Sequence, residues 1–197
     1  MIGDNSPRVI GDNPSPVIGD DHKGESSTTL HQSDYGLIDS MIPIFSPAGV
    51  QELLDFGVLG WELSRFAGVW VGLKCMKDTV EVTEVVDGSV ERIEVKKPVF
   101  SFPEEGVQIR TNDLAAIQEE RLHKVKIPAV KAFARANNLN KVVFSNEGAK
   151  IGLVSAGKSW LDTVHALDLL GINEPKAKEL GISTFKVGLV WPLEEET

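Results

Sequence analysis

The hydrophobic pattern predicts strands and helices that alternate along most of the chain. Residues 42–45 form a short apolar run, and apolar side chains at helical spacing follow it as far as residue 67. The next run, residues 69–75, is apolar nearly throughout, as expected for a strand that is covered on both faces. A strand, a helix and a strand within roughly thirty residues predict a βαβ unit.

The C-terminal half continues this alternation. Two helical stretches, separated by Pro128, precede a short strand at residues 141–144. Residues 150–171 then predict a buried strand, a sharp turn and an amphipathic helix, and a short helix and a last strand at residues 184–190 follow. The predicted fold class is therefore α/β.

Changes in character along the chain predict where the domains divide. An Ile-Gly-Asp repeat with spacers rich in Pro and Ser occupies the N-terminus, and we expect residues 1–16 to be a disordered tail. Residues 79–111 contain an alternating stretch in which Asp87-Gly88 suits a hairpin turn, so we interpret them as a connector that carries a hairpin. The predicted domains are then residues 17–78 and residues 112–197.

Composition narrows the range of partners and compartments. The net charge is −9, the isoelectric point is near 5.0 and no basic stripe is present, so we expect no nucleic-acid partner. No apolar run approaches the ~20 residues of a membrane span and the polar N-terminus lacks an apolar signal core, so we expect a cytoplasmic protein. The single cysteine, Cys75, cannot build a disulfide framework or a cysteine-ligated cluster within this chain.

One stretch matches a nucleotide-binding pattern letter by letter. Residues 152–159 fit G-x-x-x-x-G-K-S, whose backbone N–H groups wrap a phosphate in nucleotide hydrolases. However, Gly152 lies inside the apolar run that predicts a strand, and the last predicted strand supplies no acidic residue for magnesium. We therefore interpret the match as a strand, a turn and a helix, and a phosphate-loop nucleotide binder remains as an alternative.

A polar loop near the N-terminus holds the best local cluster of reactive side chains, which comprises Asp20, Asp21, His22 and His31. In a parallel α/β sheet such a loop lies at the carboxyl ends of the strands, where ligands bind. Two carboxylates and a histidine suit a metal ion, whereas the same carboxylates also suit a turn in which they accept backbone N–H groups. Spacing alone specifies no metal, so none is assigned.

Several stretches resemble one known family, and they lie in order along residues 17–194. They include Gly-Asp-Asp-His at 19–22, Ser-Ser-Thr at 26–28, His-Gln-Ser at 31–33, residues 47–75, Glu-Glu-Arg-Leu-His at 119–123, Phe-Ala-Arg-Ala at 133–136, residues 152–162 and Lys-Val-Gly-Leu-Val-Trp-Pro-Leu-Glu at 186–194. The family is the large indolepyruvate ferredoxin oxidoreductases, which depend on thiamine diphosphate with magnesium. These enzymes oxidatively decarboxylate aryl-pyruvates to acyl-CoA and pass electrons through iron–sulfur clusters to ferredoxin.

The resemblance implies a fold and a candidate site. Residues 17–78 would be the C-terminal part of the Rossmann-like domain that binds the pyrimidine side of thiamine diphosphate. Residues 112–197 would be the N-terminal part of the following α/β domain. The implied residues near substrate or cofactor are Asp20, Asp21, His22, Ser26, Ser27, His31 and Gln32, and the resemblance assigns none of them as catalytic or metal-binding.

The resemblance also implies parts that lie outside the matched stretch. These are the glutamate that activates the thiamine ring, the domain that binds diphosphate and magnesium, and the cysteine-rich cluster motifs; an iron–sulfur cluster needs about four thiolates. We therefore expect a segment of such an oxidoreductase that is inactive alone. Its partners would be the remaining segments or subunits, with ferredoxin reached only through the full enzyme, and a homo-oligomer is left open. The alternative is a non-catalytic interaction module on the same scaffold.

Overall fold

The described chain alternates strands and helices, as the α/β prediction requires. The computed structural model describes residues 17–21, 24 and 29–197, so the predicted disordered tail, residues 1–16, lies outside the described residues. The strands are β1 (Val17–Asp20), β2 (Ile44–Phe45), β3 (Gly72–Met76), β4 (Asn140–Phe144), β5 (Ile151–Ala156), β6 (Ile182–Val187) and β7 (Leu189–Trp191). The helices are α1 (Asp34–Asp39), α2 (Val50–Ala67), α3 (Lys77–Val80), α4 (Ala115–Arg121), α5 (Ile127–Ala136), α6 (Gly157–Leu169) and α7 (Glu174–Leu180), with a 3₁₀ turn at Val90–Arg92 and a π-helical turn at Leu122–Lys126.

The first sheet contains the predicted βαβ unit. Its strand order is β1-β3-β2-β7, in which β1, β3 and β2 are parallel and β7 runs antiparallel to β2. Helix α2 joins β2 to β3 and buries Phe56 and Leu63 in a core that Phe45 of β2 and Phe133 of α5 share. The second sheet has the order β4-β6-β5, with β4 antiparallel and β5 parallel to the central strand.

The predicted hairpin in the connector is wrong. Residues 81–89 belong to no strand in the described chain. Arg92 explains the difference, because its guanidinium donates hydrogen bonds of 2.9 and 2.5 Å to the Asp55 carboxylate on α2. This bidentate pair holds the connector along a helix, where it cannot fold back on itself.

The later part of the connector covers the helical side of the core. The rings of Phe100 and Phe102 pack edge-on against Phe66 of α2, with centroid distances of 6.4 and 5.2 Å. The ring of Phe66 in turn packs against the ring of Phe133 of α5, with 5.7 Å between the two ring centroids. Because such aromatic pairs stabilise a core beyond the area that they bury, the connector is part of the packed structure.

The π-helical turn lets the chain remain helical on both sides of Pro128. A proline inside a helix lacks an N–H donor and crowds the carbonyl of the preceding turn. The wider turn accommodates this, since the N–H of Ile127 bonds to the carbonyl of Leu122, five residues earlier. Helices α4 and α5 are therefore joined through Leu122–Lys126 without an intervening loop.

A single glycine carries the chain from one sheet to the other. The predicted last strand is in fact two strands, since Gly188 separates β6 in the second sheet from β7 in the first. The N–H groups of Gly188 and Leu189 each donate to Oδ1 of buried Asn140 at 2.9 Å. A Cβ on Gly188 would collide with the Leu139 carbonyl and would lie 2.8 Å from Cζ of Phe56.

The crossover at Gly188 is relevant to the domain boundary that the sequence predicts at residue 112. Strand β7 and helix α5 come from beyond residue 112, yet both add side chains to the first core. The boundary at residue 112 stays a prediction. None of the helices in the described residues has both the length and the apolar character that crossing a bilayer requires.

We predict that Gly188→Ala lowers the free energy of unfolding by roughly 1–3 kcal/mol, because the added methyl group overpacks the crossover. Gly152→Ala is the matched control, since a Cβ there would have no neighbour within 4 Å; its effect should stay within about 0.5 kcal/mol. Urea unfolding followed by circular dichroism measures both changes. Equal effects of the two substitutions would contradict the close approach at Gly188.

Candidate functional site at the carboxyl edge of the first sheet

The candidate loop leaves β1 at the carboxyl edge of the first sheet. Asp20 ends β1 opposite Met76 of the parallel strand β3. The loop closes on itself, because Asp21 and His31 form an isolated antiparallel bridge with an N–H···O bond of 3.0 Å. In open α/β sheets this edge is the usual position of a ligand.

Four of the seven predicted site residues lie in the described part of the loop. They are Asp20, Asp21, His31 and Gln32, and the structure brings the first three together. The other three, His22, Ser26 and Ser27, lie outside the described residues.

Asp20 fixes the start and the end of the loop. Its side chain is fully buried, and Oδ1 accepts hydrogen bonds from the N–H of Ser33 at 2.9 Å and from its hydroxyl at 2.6 Å. Nδ1 of His31 lies 3.5 Å from the same oxygen, while the His31 side chain remains 61% exposed. A carboxylate is stable in such a buried position only because hydrogen bonds and a nearby cation compensate its charge.

That cation is Lys74 of β3. Its Nζ lies 3.5 Å from Oδ2 of Asp20 and donates a 2.5 Å hydrogen bond to Oδ2 of Asp34, the first residue of α1. Burial raises the pKa of Asp34, but hydrogen bonds from Lys74 and Gln32 and the positive charge of Lys74 outweigh it and hold the pKa below its ordinary value of 3.8. Lys74 therefore joins β1, β3 and α1 through its contacts with two carboxylates.

Lys74, Ser33 and Asp34 belong to the network of the candidate site, and the sequence interpretation did not include them. The available signal was a lysine inside residues 69–75, an otherwise apolar run. A lysine is almost never buried in a strand unless it is paired, so the run itself implied a carboxylate nearby. The identity of that carboxylate depends on contacts 40 residues apart, which no local pattern reveals.

What this edge can bind depends on which of its polar side chains already have partners within the protein. The buried charges satisfy one another, whereas His31 and Gln32 are exposed at the loop surface. Among the described residues, no group of three His, Cys, Asp or Glu side chains is arranged to hold a metal ion. In the described part of the edge, His31 and Gln32 are therefore the polar side chains most accessible to a ligand.

The turn that matches the phosphate-loop pattern is closed. Gly152 is paired within β5, opposite Ser183 of β6, which confirms that the first glycine lies in a strand. Gly157 has a φ of +52°, and a Cβ there would lie 2.7 Å from Oγ of Ser46. Lys158 is hydrogen-bonded to Asp162 at 2.6 Å. The turn packs on Ser46 at the end of β2, and its first glycine is paired in a strand, so the geometry favours a strand, a turn and a helix over a phosphate loop.

A buried ion pair also lies where the second sheet contacts the first, near Gly157 and Ser46. Lys186 of β6 is hydrogen-bonded to Glu52 near the start of α2, and the other Glu52 oxygen accepts the N–H of Ala48 at 2.9 Å. Burial lowers the pKa of Lys186 to about 8. Breaking such a pair would leave an uncompensated buried charge. The second sheet therefore covers the carboxyl end of β2, and the open part of the edge is limited to β1 and β3.

Comparisons with known proteins match this architecture. Residues 141–197, which run from β4 through the crossover, match the family model of the indolepyruvate oxidoreductase domain. The indolepyruvate oxidoreductase subunit IorA of Methanothermobacter marburgensis is 27% identical over 151 residues, which cover 76% of this chain and 24% of IorA. The chain is therefore similar to part of an indolepyruvate oxidoreductase subunit. The resemblance seen in the sequence is thereby confirmed.

A solved structure extends the likeness of this chain at the level of the fold. The 2-oxoglutarate:ferredoxin oxidoreductase from Magnetococcus marinus, solved with 2-oxoglutarate, coenzyme A and succinyl-CoA bound, matches 90% of this chain and 37% of its own chain. The TM-score is 0.53 and the identity is 15%, so this likeness shows the fold alone. The chain spans about a quarter of IorA, the curated relative that it matches.

We predict that Asp34→Asn destabilises the fold by about 1–2 kcal/mol at neutral pH, because Lys74 loses its closest carboxylate. The pKa of Asp34 is lowered in the folded state, so its contribution is fully present above the ordinary value of 3.8 and is lost as the pH falls through the lowered value. Urea unfolding of the parent and the variant, repeated down to the most acidic pH at which both fold, should show their difference shrink.

Glu120→Gln is the control for this comparison. Glu120 pairs with Lys124 at 2.6 Å on an exposed helical surface, and such pairs contribute roughly 0–1 kcal/mol. A difference between Asp34→Asn and the parent that persists unchanged at acid pH would show that the charge of Asp34 is not what stabilises the site.

Proposed function

We propose that the chain is a segment of an enzyme like indolepyruvate:ferredoxin oxidoreductase, which oxidatively decarboxylates aryl-pyruvates to acyl-CoA, and that the chain is inactive alone. The relationship to IorA and the indolepyruvate oxidoreductase domain supports this proposal. The chain would act in the cytoplasm, in keeping with its sequence.

The cysteine content is the observation that carries the proposal of a dependent segment. Electrons released from the 2-oxo acid must pass through iron–sulfur clusters to reach ferredoxin, and each cluster needs about four thiolates. The whole sequence has one cysteine, Cys75, whose side chain is buried in β3 and whose pKa burial raises. The electron-transfer centres therefore belong to other segments or subunits, and ferredoxin would be reached only through them.

The proposed cofactor, thiamine diphosphate with magnesium, also depends on the assembled enzyme. It would supply the carbanion chemistry on the 2-oxo acid. In the described residues, however, Asp20 and Asp34 are already directed at Ser33 and Lys74. We therefore infer that residues beyond the described network would hold the diphosphate and the metal ion.

The loop at the carboxyl edge is the proposed contact with substrate or cofactor. Exposed His31 and Gln32 lie over a rigid base of buried charges, and the same loop contains His22, Ser26 and Ser27. A rigid base suits a contact surface, because it limits the conformational entropy that binding must offset. The base would hold the loop in place while partner segments complete the site.

The outer face of the second sheet supports the existence of partner segments. Val142, Phe185 and Val154 lie side by side across β4, β6 and β5. Val142 is 47% exposed and Val154 is 68% exposed. A contiguous apolar row of this kind marks a surface that another chain covers, and we assign it to the remaining oxidoreductase segments.

We predict that the purified chain, supplied with thiamine diphosphate, magnesium, indolepyruvate, coenzyme A and an oxidised ferredoxin, reduces no more ferredoxin than a protein-free blank. Addition of complementary segments, made from IorA without its matched region and co-expressed with its partner subunit, should restore reduction. The absorbance change of ferredoxin measures both. Turnover by the chain alone would contradict inactivity, whereas capture of unrelated proteins only, with no restored turnover, would favour the interaction module.

Two histidines give a matched pair of variants for the restored assembly. His31→Ala should raise the KM for indolepyruvate by roughly tenfold, the effect of one lost hydrogen bond to a charged group. His165→Ala, on the exposed surface of α6, should leave it unchanged. Equal kinetics of the two variants would remove the loop from the proposed contact surface.

A further inference from the structure

A cavity lies at the amino edge of the first sheet, at the other end of the strands from the candidate loop. It has a volume of about 550 Å³ and is lined by residues that precede β2 and β3, by the end of the connector and by the π-helical turn. Those used below are Met41, Trp70, Gln108, Leu122 and Lys126. Cavities of roughly 300–1,000 Å³ are the size of small-molecule sites.

The charged group in this cavity is Lys126. Its ammonium donates to the Gly68 carbonyl at 2.8 Å, and no carboxylate of the described residues lies within ion-pair distance. Arg121, a cation whose charge acts on Lys126, is already paired with Asp113 at 2.7 Å. Burial and the charge of Arg121 both lower the pKa of Lys126, which means that both disfavour its charged form. An anion beside Lys126 would stabilise that charged form.

Gln108 of the connector also lines the cavity. Nε2 of Gln108 is buried and has no hydrogen-bond partner in the described part of the chain. The Gln108 backbone is held in place, because its carbonyl accepts a hydrogen bond from Arg121 at 3.2 Å. Buried amide groups are nearly always hydrogen-bonded in folded proteins, so this unused donor indicates a ligand that supplies the acceptor.

The remaining walls are apolar and include an aromatic face. Met41 and Leu122 contribute aliphatic surface, and Trp70 is 49% exposed beside them. Leu122 and Lys126 both reach the cavity from the π-helical turn, a feature that recurs at functional sites. Two N–H donors beside an apolar wall match a ligand that has an anionic end and an apolar body.

We propose that this cavity binds a small organic carboxylate, with its carboxylate on Lys126 and Gln108 and its aryl or alkyl body against Trp70. The site is separate from the loop at the carboxyl edge, because the two lie at opposite ends of the same parallel strands. Binding at this site can be measured without enzymatic turnover. The binding proposal can therefore be tested independently of the proposed function.

Calorimetric titration of the whole chain with phenylacetate and with its neutral analogue phenylacetamide tests the proposal. Phenylacetate should bind at least about tenfold more tightly, since one charge-assisted hydrogen bond corresponds to that ratio or more. Lys126→Met should remove the preference for the anion. Lys124→Met, an exposed lysine of the same turn, should keep it.

A second variant covers the case in which Lys126→Met fails to fold. Gln108→Leu should weaken phenylacetate binding severalfold and leave phenylacetamide binding closer to that of the parent. Absence of phenylacetate binding up to its solubility limit, equal affinity for the two probes in the parent, or an unchanged preference in folded Lys126→Met would each overturn the proposal.

Discussion

The structure depends on one buried amide, the side chain of Asn140. It is 1% exposed, and its oxygen accepts the N–H groups of Gly188 and Leu189 where the chain passes between the sheets. Without it these donors would be buried and unpaired, at a cost of roughly 1–3 kcal/mol each. The crossing is so close to Leu139 and Phe56 that glycine alone fits. At the crossing, the two sheets are therefore joined by the continuous chain, by hydrogen bonds and by side-chain packing.

This junction decides which part of the carboxyl edge remains open. Once β7 pairs with β2, the second sheet lies against the end of β2, and Gly157 packs on Ser46 while Lys186 reaches Glu52. The contact closes the turn that matches a phosphate loop. What stays open is the end of β1 and β3, where Lys74 holds the candidate loop in place. The architecture thus explains why residues 152–159, which match the motif letter by letter, form a strand, a turn packed on Ser46 and the start of a helix.

Sequence reasoning succeeded where a property is local. The apolar runs located β3 and β5, and the position of Gly152 inside a run identified a strand in place of a phosphate loop. It failed where the outcome depends on distant contacts. The run at 184–190 has the pattern of a single strand, so nothing local shows that Gly188 divides it between two sheets. The connector was mistaken for a hairpin because its docking on α2 depends on Arg92 and Asp55, far apart in sequence.

Native-state hydrogen exchange tests most directly whether the Asn140 junction makes the two sheets one cooperative unit. Amides of β3 and β6 should open with the same free energy in the parent chain, and Asn140→Ala should lower both by the same amount, because cooperative units exchange together. The contradicting result is a variant in which β6 loses protection while β3 keeps the value of the parent. In that case the sheets would be independent, and the closed edge would not follow from the junction.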